Sequence, residues 1–171
     1  MHYGRIIAIV GSVLAVVGFT PKSATSTAEY IFRGLTSINP GFPERFDSVF
    51  VSLWSESAPA AGILVLSLVA VLGLSLTPKV KSALSRRRSL IVTVLGVVML
   101  AIGGIATKGA SEKMDTLEAG FASVAAIGLI NEGHTATISW GWYLLMCAGA
   151  LVVIGGVVQL LVRPQASTQN E

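Results

Sequence analysis

The sequence predicts an all-α membrane protein with four transmembrane helices and short amphipathic helices in its outer loops. The first observation is four apolar stretches, each close to the length that a helix needs to cross about 30 Å of hydrocarbon. The second is that all nine carboxylates and all twelve lysines and arginines lie outside these stretches or at their ends, as the cost of a charge in hydrocarbon requires. The third is a composition with 53% hydrophobic and 12% charged residues, unlike that of an ordinary soluble domain. The predicted helices are residues 5–20, 60–77, 89–107 and 138–162 of a single domain, 1–171.

The predicted inner loop, residues 78–88, sets the direction of the chain. It carries five basic residues and no acidic residue: Lys79, Lys81, Arg86, Arg87 and Arg88. The predicted outer loops, 21–59 and 108–137, each carry more acidic than basic residues. Because cytoplasmic loops are enriched in lysine and arginine, we expect 78–88 and both termini in the cytoplasm. Two interpretations of the basic cluster stay open, namely that it binds anionic lipid headgroups or that it only sets topology.

The first stretch is the shortest, and two interpretations fit it. One is a transmembrane helix that tilts, with Arg5 and Lys22 snorkelling to the membrane surface. The other is a secretory signal, because the basic residue and the apolar run are followed by small residues at 23–28. We interpret the stretch as a retained helix.

Serine, proline and aromatic residues mark the ends of the later helices. Pro78 follows an apolar run that it cannot continue, and Ser57 and Ser89 are predicted N-caps of the second and third helices. Aromatic rings with a polar group are favoured at the membrane boundary. Three such residues at the start of the fourth helix are therefore predicted interface anchors: Trp140, Trp142 and Tyr143.

Glycines recur seven residues apart in three of the predicted helices, at 11 and 18, 96 and 103, and 149 and 156. Two helical turns bring such positions back to nearly the same face. Together Gly11, Ala15 and Gly18 give the first helix a face of small residues, and such faces let membrane helices approach closely. The spacing leaves open whether the neighbouring helix belongs to the same chain or to another.

The first outer loop has the periodicity of two short amphipathic helices, at 29–38 and 44–54, joined by a turn rich in proline and glycine. Their apolar faces either dock on the membrane or on another protein, or they cap the bundle. The residues expected to contact a partner are Phe32, Leu35, Phe46, Phe50 and Trp54. The second outer loop also has helical character, with an apolar segment at 121–130 that is too short to span a membrane.

The chain lacks the groups that catalysis in a membrane requires. The predicted spans contain no ionisable side chain in their interiors, whereas pumps and membrane enzymes place such groups at membrane depth. No nucleotide-binding, zinc-protease or paired-cysteine motif is present, and the single cysteine, Cys147, excludes an intrachain disulfide. Glu132 and His134 are two potential metal ligands in one turn, which is too few to predict a metal. We therefore expect no enzyme activity, no cofactor, no metal and no nucleic-acid partner.

The layout and the last helix resemble small four-helix membrane proteins of actinobacteria. Their final helix opens with an aromatic and glycine cluster and closes with paired glycines, as do residues 140–145 (Trp-Gly-Trp-Tyr-Leu-Leu) and Gly155-Gly156 here. Some of these proteins are accessory subunits of Mce-type lipid-uptake transporters, so the resemblance implies such a context and assigns no functional residue. Claudins and tetraspanins share the four-helix plan, but this sequence lacks their loop cysteines.

The sequence favours a non-catalytic accessory subunit of a larger complex in a bacterial inner membrane, such as a lipid transporter. Its partners would be membrane lipids and other integral membrane subunits. The alternatives are a lipid-binding or lipid-passing protein and a claudin-like scaffold that assembles with itself.

Overall fold

The computed structural model describes residues 2–76 and 84–161. Over these residues the protein is helical apart from one pair of short strands, which confirms the all-α class. In chain order the elements are α1 (Tyr3–Phe19), β1 (Ala24–Ser26), a 3-10 turn (Glu29–Ile31), α2 (Phe32–Ile38), α3 (Val49–Glu56), α4 (Ala58–Ser75), α5 (Arg86–Ala126), β2 (Ala136–Ile138) and α6 (Trp140–Leu161).

Three helices, α4, α5 and α6, are long and apolar enough to cross a membrane. This is consistent with a membrane protein. α1 is also apolar but is shorter, with 17 residues. The helices α1, α4 and α6 begin and end within two residues of the stretches that the sequence predicts, because proline and serine mark their ends. Ser57 is the N-cap of α4, as predicted, and its hydroxyl accepts a hydrogen bond from the Ala60 amide.

The third predicted helix is far longer than expected. α5 runs unbroken for 41 residues, about 61 Å at 1.5 Å per residue. The predicted end at residue 107 is therefore wrong, because residues 108–126 contain no proline and simply continue the helix. The predicted N-cap Ser89 is also wrong: α5 begins at Arg86, and Ser89 is buried within its first turns.

α6 lies between α1 and α5 and packs closely on both, with its backbone antiparallel to theirs. A Cβ added to Gly155 would lie 2.6 Å from the Gly4 carbonyl oxygen of α1, and one added to Gly149 would lie 2.7 Å from the Leu100 nitrogen of α5. Such short distances mean that backbone touches backbone along both seams. The question that the glycine spacing left open is thereby answered, since these faces pack within the chain.

α4 completes a ring in the order α1, α6, α5, α4, but it packs differently. Its buried residues are of mixed size, with Leu64, Leu68 and Val71 beside Ala61, Ser67 and Ser75. Its own glycines, Gly62 and Gly73, have no neighbouring atom within 4 Å of an added Cβ. The glycines of α4 therefore take no part in its packing, whereas glycines bring the other three helices together.

Residues 20–57 and 108–139 form a compact cap at one end of the bundle. Strands β1 and β2 pair antiparallel, with Thr25 opposite Thr137, and this ladder joins the two segments. Within the first segment, the Ser23 amide donates to the Asp47 carbonyl and the Val49 amide donates to the Pro21 carbonyl. Backbone hydrogen bonds thus link the cap segments in a chain that has one cysteine. The opposite end of the bundle, where α4 ends and α5 begins, is hereafter the hinge end.

Four phenylalanine rings form the core of the cap. The ring of Phe32 lies 5.2 Å from that of Phe46 and 6.3 Å from that of Phe121, and the ring of Phe42 lies 5.5 Å from that of Phe121. All four side chains are buried. Phe121 projects from the part of α5 that extends beyond the predicted span, so this extension is the wall on which the first loop packs.

The amphipathic segments of the first loop form in part. The predicted helix 29–38 is present as the 3-10 turn followed by α2. The predicted helix 44–54 starts only at Val49, where the Ser48 hydroxyl caps α3. Residues 39–48 are irregular because they must carry both Phe42 and Phe46 into the core.

At the hinge end, Arg86, Arg87 and Arg88 form the exposed first turn of α5. The predicted basic residues Lys79 and Lys81 lie outside the described residues. Arg5, which the sequence predicts to snorkel outward, is instead buried in the bundle, as are Gln159 of α6 and Ser89. The hinge end of the core is therefore more polar than the sequence suggests.

Candidate ligand pocket between bundle and cap

The residues predicted to contact a partner are mostly used inside the chain. Gly11, Ala15 and Gly18 are buried on α1, where Gly11 and Gly18 face the backbone of α6. The cap core likewise buries Phe32, Leu35 and Phe46. Of the predicted contact residues, Phe50 is half-buried between Phe19 and Trp54, and Trp54 is exposed. These two side chains are the part of the predicted partner surface that stays accessible.

The predicted interface anchors divide into two groups. Trp140 and Tyr143 are both more than half exposed at the cap end of α6. Trp142 is instead completely buried, and its indole N–H donates a hydrogen bond of 2.8 Å to the Ser23 carbonyl. Periodicity alone separates the groups, since Trp142 falls on the inner face of α6 with Leu145 and Gly149.

A hollow of about 650 Å³ opens between the bundle and the cap. This volume is typical of small-molecule pockets, which range over about 300–1,000 Å³. Its floor is made by Ala110 of α5 and Trp142 of α6, at the height where the bundle meets the cap. Its walls are the extension of α5, the C-terminal half of α3 and the irregular loop before α3.

The inner surface of the pocket is mainly apolar. Phe42, Phe46, Met114 and Leu117 line it together with the Trp142 ring. Aromatic rings and methionine are the side chains that bind apolar ligands of irregular shape. Such a surface favours a hydrophobic body over a hydrated one.

Local contacts hold the apolar wall in place. The Thr36 hydroxyl donates to the Phe42 carbonyl at 3.1 Å, which fixes the loop against α2. The Phe42 ring lies so close to α5 at Gly120 that an added Cβ would be 3.1 Å from its Cζ. The pocket is thus built on packed elements and does not depend on a free loop.

The rim of the pocket is charged and balanced. Lys113 of α5 and Glu56 of α3 form an ion pair of 2.7 Å, and Arg45 and Asp47 lie 3.9 Å apart on the loop. Two positive and two negative side chains therefore surround the mouth. An apolar interior below a polar mouth suits an amphiphilic molecule.

The sequence could have predicted one wall of this pocket. Ala110, Met114 and Leu117 of this wall recur at intervals of four and three residues, which indicates a helix with one buried face. The remaining walls depend on how the irregular residues 39–48 turn, and no periodicity marks those.

A second hollow, of about 280 Å³, lies between the end of α5 and residues 131–134. Glu118, Glu132 and His134 border it, but the Glu118 carboxylate accepts a hydrogen bond from the Ala136 amide. The His134 ring packs edge-on against Tyr30 and Phe121. Across residues 2–76 and 84–161 no group of three potential metal ligands comes together.

The chain matches no known protein family, no curated protein and no solved structure.

Proposed function

We propose that this chain is a non-catalytic, four-span membrane protein that binds an amphiphilic molecule in the pocket between bundle and cap. Of the three functions that the sequence leaves open, lipid binding is the one that the pocket supports best. The observation that carries the proposal is an apolar hollow of about 650 Å³ with a charged rim, placed where the bundle meets the cap.

The packing of α1 supports a fourth span. Gly4 and Gly18, near the two ends of α1, each lie against the backbone of α6, so α1 follows α6 along most of its length. The opposite face of α1 exposes apolar side chains, among them Val10, Val13 and Val16. If α6 crosses the membrane, this arrangement carries α1 across beside it, and lipid covers those valines.

The distribution of charge supports an orientation with the cap outside. Three arginines are exposed at the hinge end, and the positive-inside bias places such residues in the cytoplasm. α1 begins and α6 ends at this same end of the bundle. Both termini are then cytoplasmic, and the pocket faces the outer surface of the bacterial inner membrane.

The test is binding of a fluorescent single-chain fatty acid to the purified protein in nanodiscs. Ser52 of α3 lines the pocket, and Ser52→Phe should fill the hollow and lower affinity by about tenfold or more, since a bulky ring removes the volume that the ligand needs. The matched control is Val51→Phe on the same helix, because Val51 is exposed and does not line the pocket. Equal affinity of both variants and the unchanged protein would contradict the proposal.

A second candidate, the accessory subunit of a larger membrane complex, is favoured by one observation. Trp54 and Val51 are exposed side by side on α3, next to the half-buried Phe50, and such aromatic surfaces are enriched in protein interfaces. Purification in mild detergent should then recover another membrane protein in a fixed ratio, and Trp54→Ser should remove it. Homo-oligomers on crosslinking would instead favour the self-assembling scaffold. A monomer that has no partner protein and forms no homo-oligomer would exclude both alternatives.

A further inference from the structure

The charged rim narrows the class of amphiphile that fits the pocket. Of its two ion pairs, the Lys113–Glu56 pair is close, at 2.7 Å, and bridges α5 and α3. Arg45 and Asp47 are 3.9 Å apart and their side chains are 82% and 51% exposed. The second pair is too long for a hydrogen bond, so both of its members can engage a ligand.

Arg45 and Asp47 offer a ligand one charge of each sign. The guanidinium of Arg45 is suited to a phosphate, which it can hold with two parallel hydrogen bonds. The Asp47 carboxylate, on the same loop, attracts a quaternary or primary ammonium group. A head group with only one charge would gain from one residue and be repelled by the other.

The apolar interior sets the size of the hydrophobic part. The hollow of about 650 Å³ is filled by one acyl chain together with part of a head group. The two chains of a diacyl phospholipid would not fit within it. Met114, Leu117 and Phe46 provide the surface for that single chain.

We propose that the pocket selects a single-chain zwitterionic lipid of the lysophospholipid class. Its chain lies against the apolar wall around Met114 and Leu117, its phosphate is held by Arg45 and its ammonium group by Asp47. This inference rests on the proposed function, because it assumes that an amphiphile enters the pocket.

The experiment is displacement of the bound fluorescent fatty acid by three competitors with the same chain length. These are lysophosphatidylcholine, anionic lysophosphatidylglycerol and a cationic alkyltrimethylammonium. The zwitterionic lipid should compete at a concentration at least about threefold lower than either of the others, a modest factor because exposed ion pairs contribute little each. Added salt should reduce the difference, since exposed charges are screened.

Two variants locate the selectivity. Asp47→Asn should weaken the binding of lysophosphatidylcholine and strengthen that of the anionic competitor. Arg45→Gln should also weaken the binding of lysophosphatidylcholine, but it should strengthen that of the cationic competitor. Lys108→Gln is the matched control: Lys108 is exposed on α5 and pairs with Glu112, away from the rim. This variant should leave unchanged the concentration at which each of the three competitors displaces the fatty acid.

The outcomes separate this inference from the proposed function. Competition by all three head groups at equal concentration, unaltered by either variant, would overturn the inference and leave amphiphile binding intact. Failure of the fluorescent fatty acid to bind the unchanged protein would overturn both.

Discussion

The bundle and the cap of this chain are packed with different kinds of residue, small ones in the bundle and large aromatic ones in the cap. In the bundle, α6 meets α1 and α5 through glycines, and backbone atoms touch backbone atoms. In the cap, four phenylalanine rings fill the core. Both regions are built on α5, which contributes Gly96 to the first and Phe121 to the second.

The contrast follows from the solvent that each region would face. In lipid, burying a large apolar side chain gains little, because hydrocarbon surrounds it either way, and close approach of helices is what stabilises the bundle. In water, removing apolar surface from solvent is the dominant gain, so large rings are the efficient choice. The change from small to large buried residues along α5 falls near Thr107, where the ion-pairing residues Lys108 and Glu112 begin.

The largest expected effect is from emptying the cap core. Phe121→Ala removes the ring that contacts both Phe32 and Phe42, and a buried Phe→Ala change costs about 3–5 kcal/mol. The cap should open while the bundle persists, which hydrogen exchange of residues 20–57 and of the α1 and α6 amides measures. Tyr30→Ala is the control, since Tyr30 is exposed. Equal protection in Phe121→Ala and the unchanged protein would mean that the rings do not hold the cap.

The next effect is from adding volume to the bundle. Gly149→Leu forces a side chain into the space beside Leu100 of α5, and overpacking of this kind costs about 1–3 kcal/mol. Unfolding in sodium dodecyl sulfate is followed by the circular dichroism of the helices, and its midpoint should shift to a lower detergent concentration. Gly104→Leu is the matched control on α5, where no atom lies within 4 Å. Should both variants shift alike, the seam between α5 and α6 is looser than described.

The smallest effect is at the rim of the pocket. Lys113→Met breaks the ion pair with Glu56, and an exposed pair contributes about 0.2–1 kcal/mol. Exchange of the α3 amides should rise slightly, and high salt should abolish the difference. Lys108→Met, which breaks a pair within one helix, should leave α3 unaffected. A loss as large as that of Phe121→Ala would show that this pair, and not the rings, holds α3 on α5.

The bundle was largely predictable from the sequence, whereas the cap was not. Apolar length, proline and charge give the bounds of α1, α4 and α6, because each signal acts locally. The end of the third helix was misplaced, because residues 108–126 change from apolar to polar without a proline and the helix continues through them. The ladder of β1 and β2 joins residues more than 100 positions apart, and three-residue strands carry no periodicity to reveal it.

The pocket was predictable only in part, for a related reason. The apolar residues of the first loop were correctly singled out, yet a sequence pattern cannot tell an internal core from a docking face. Phe32, Leu35 and Phe46 pack against one another and against the extension of α5. Only Trp54 and its neighbours therefore remain of the exposed apolar surface that the pattern suggests. Trp142 was assigned to the membrane boundary by its residue type, but its hydrogen bond to Ser23 makes it part of the pocket floor.

The unbroken length of α5 has a mechanical consequence. Since α5 is one rod of 41 residues that packs closely on α6 between Thr93 and Gly103, a change in its tilt about this seam displaces its two ends in opposite directions. The arginines at one end and the pocket wall at the other, Lys113 to Leu117, are then parts of one rigid element.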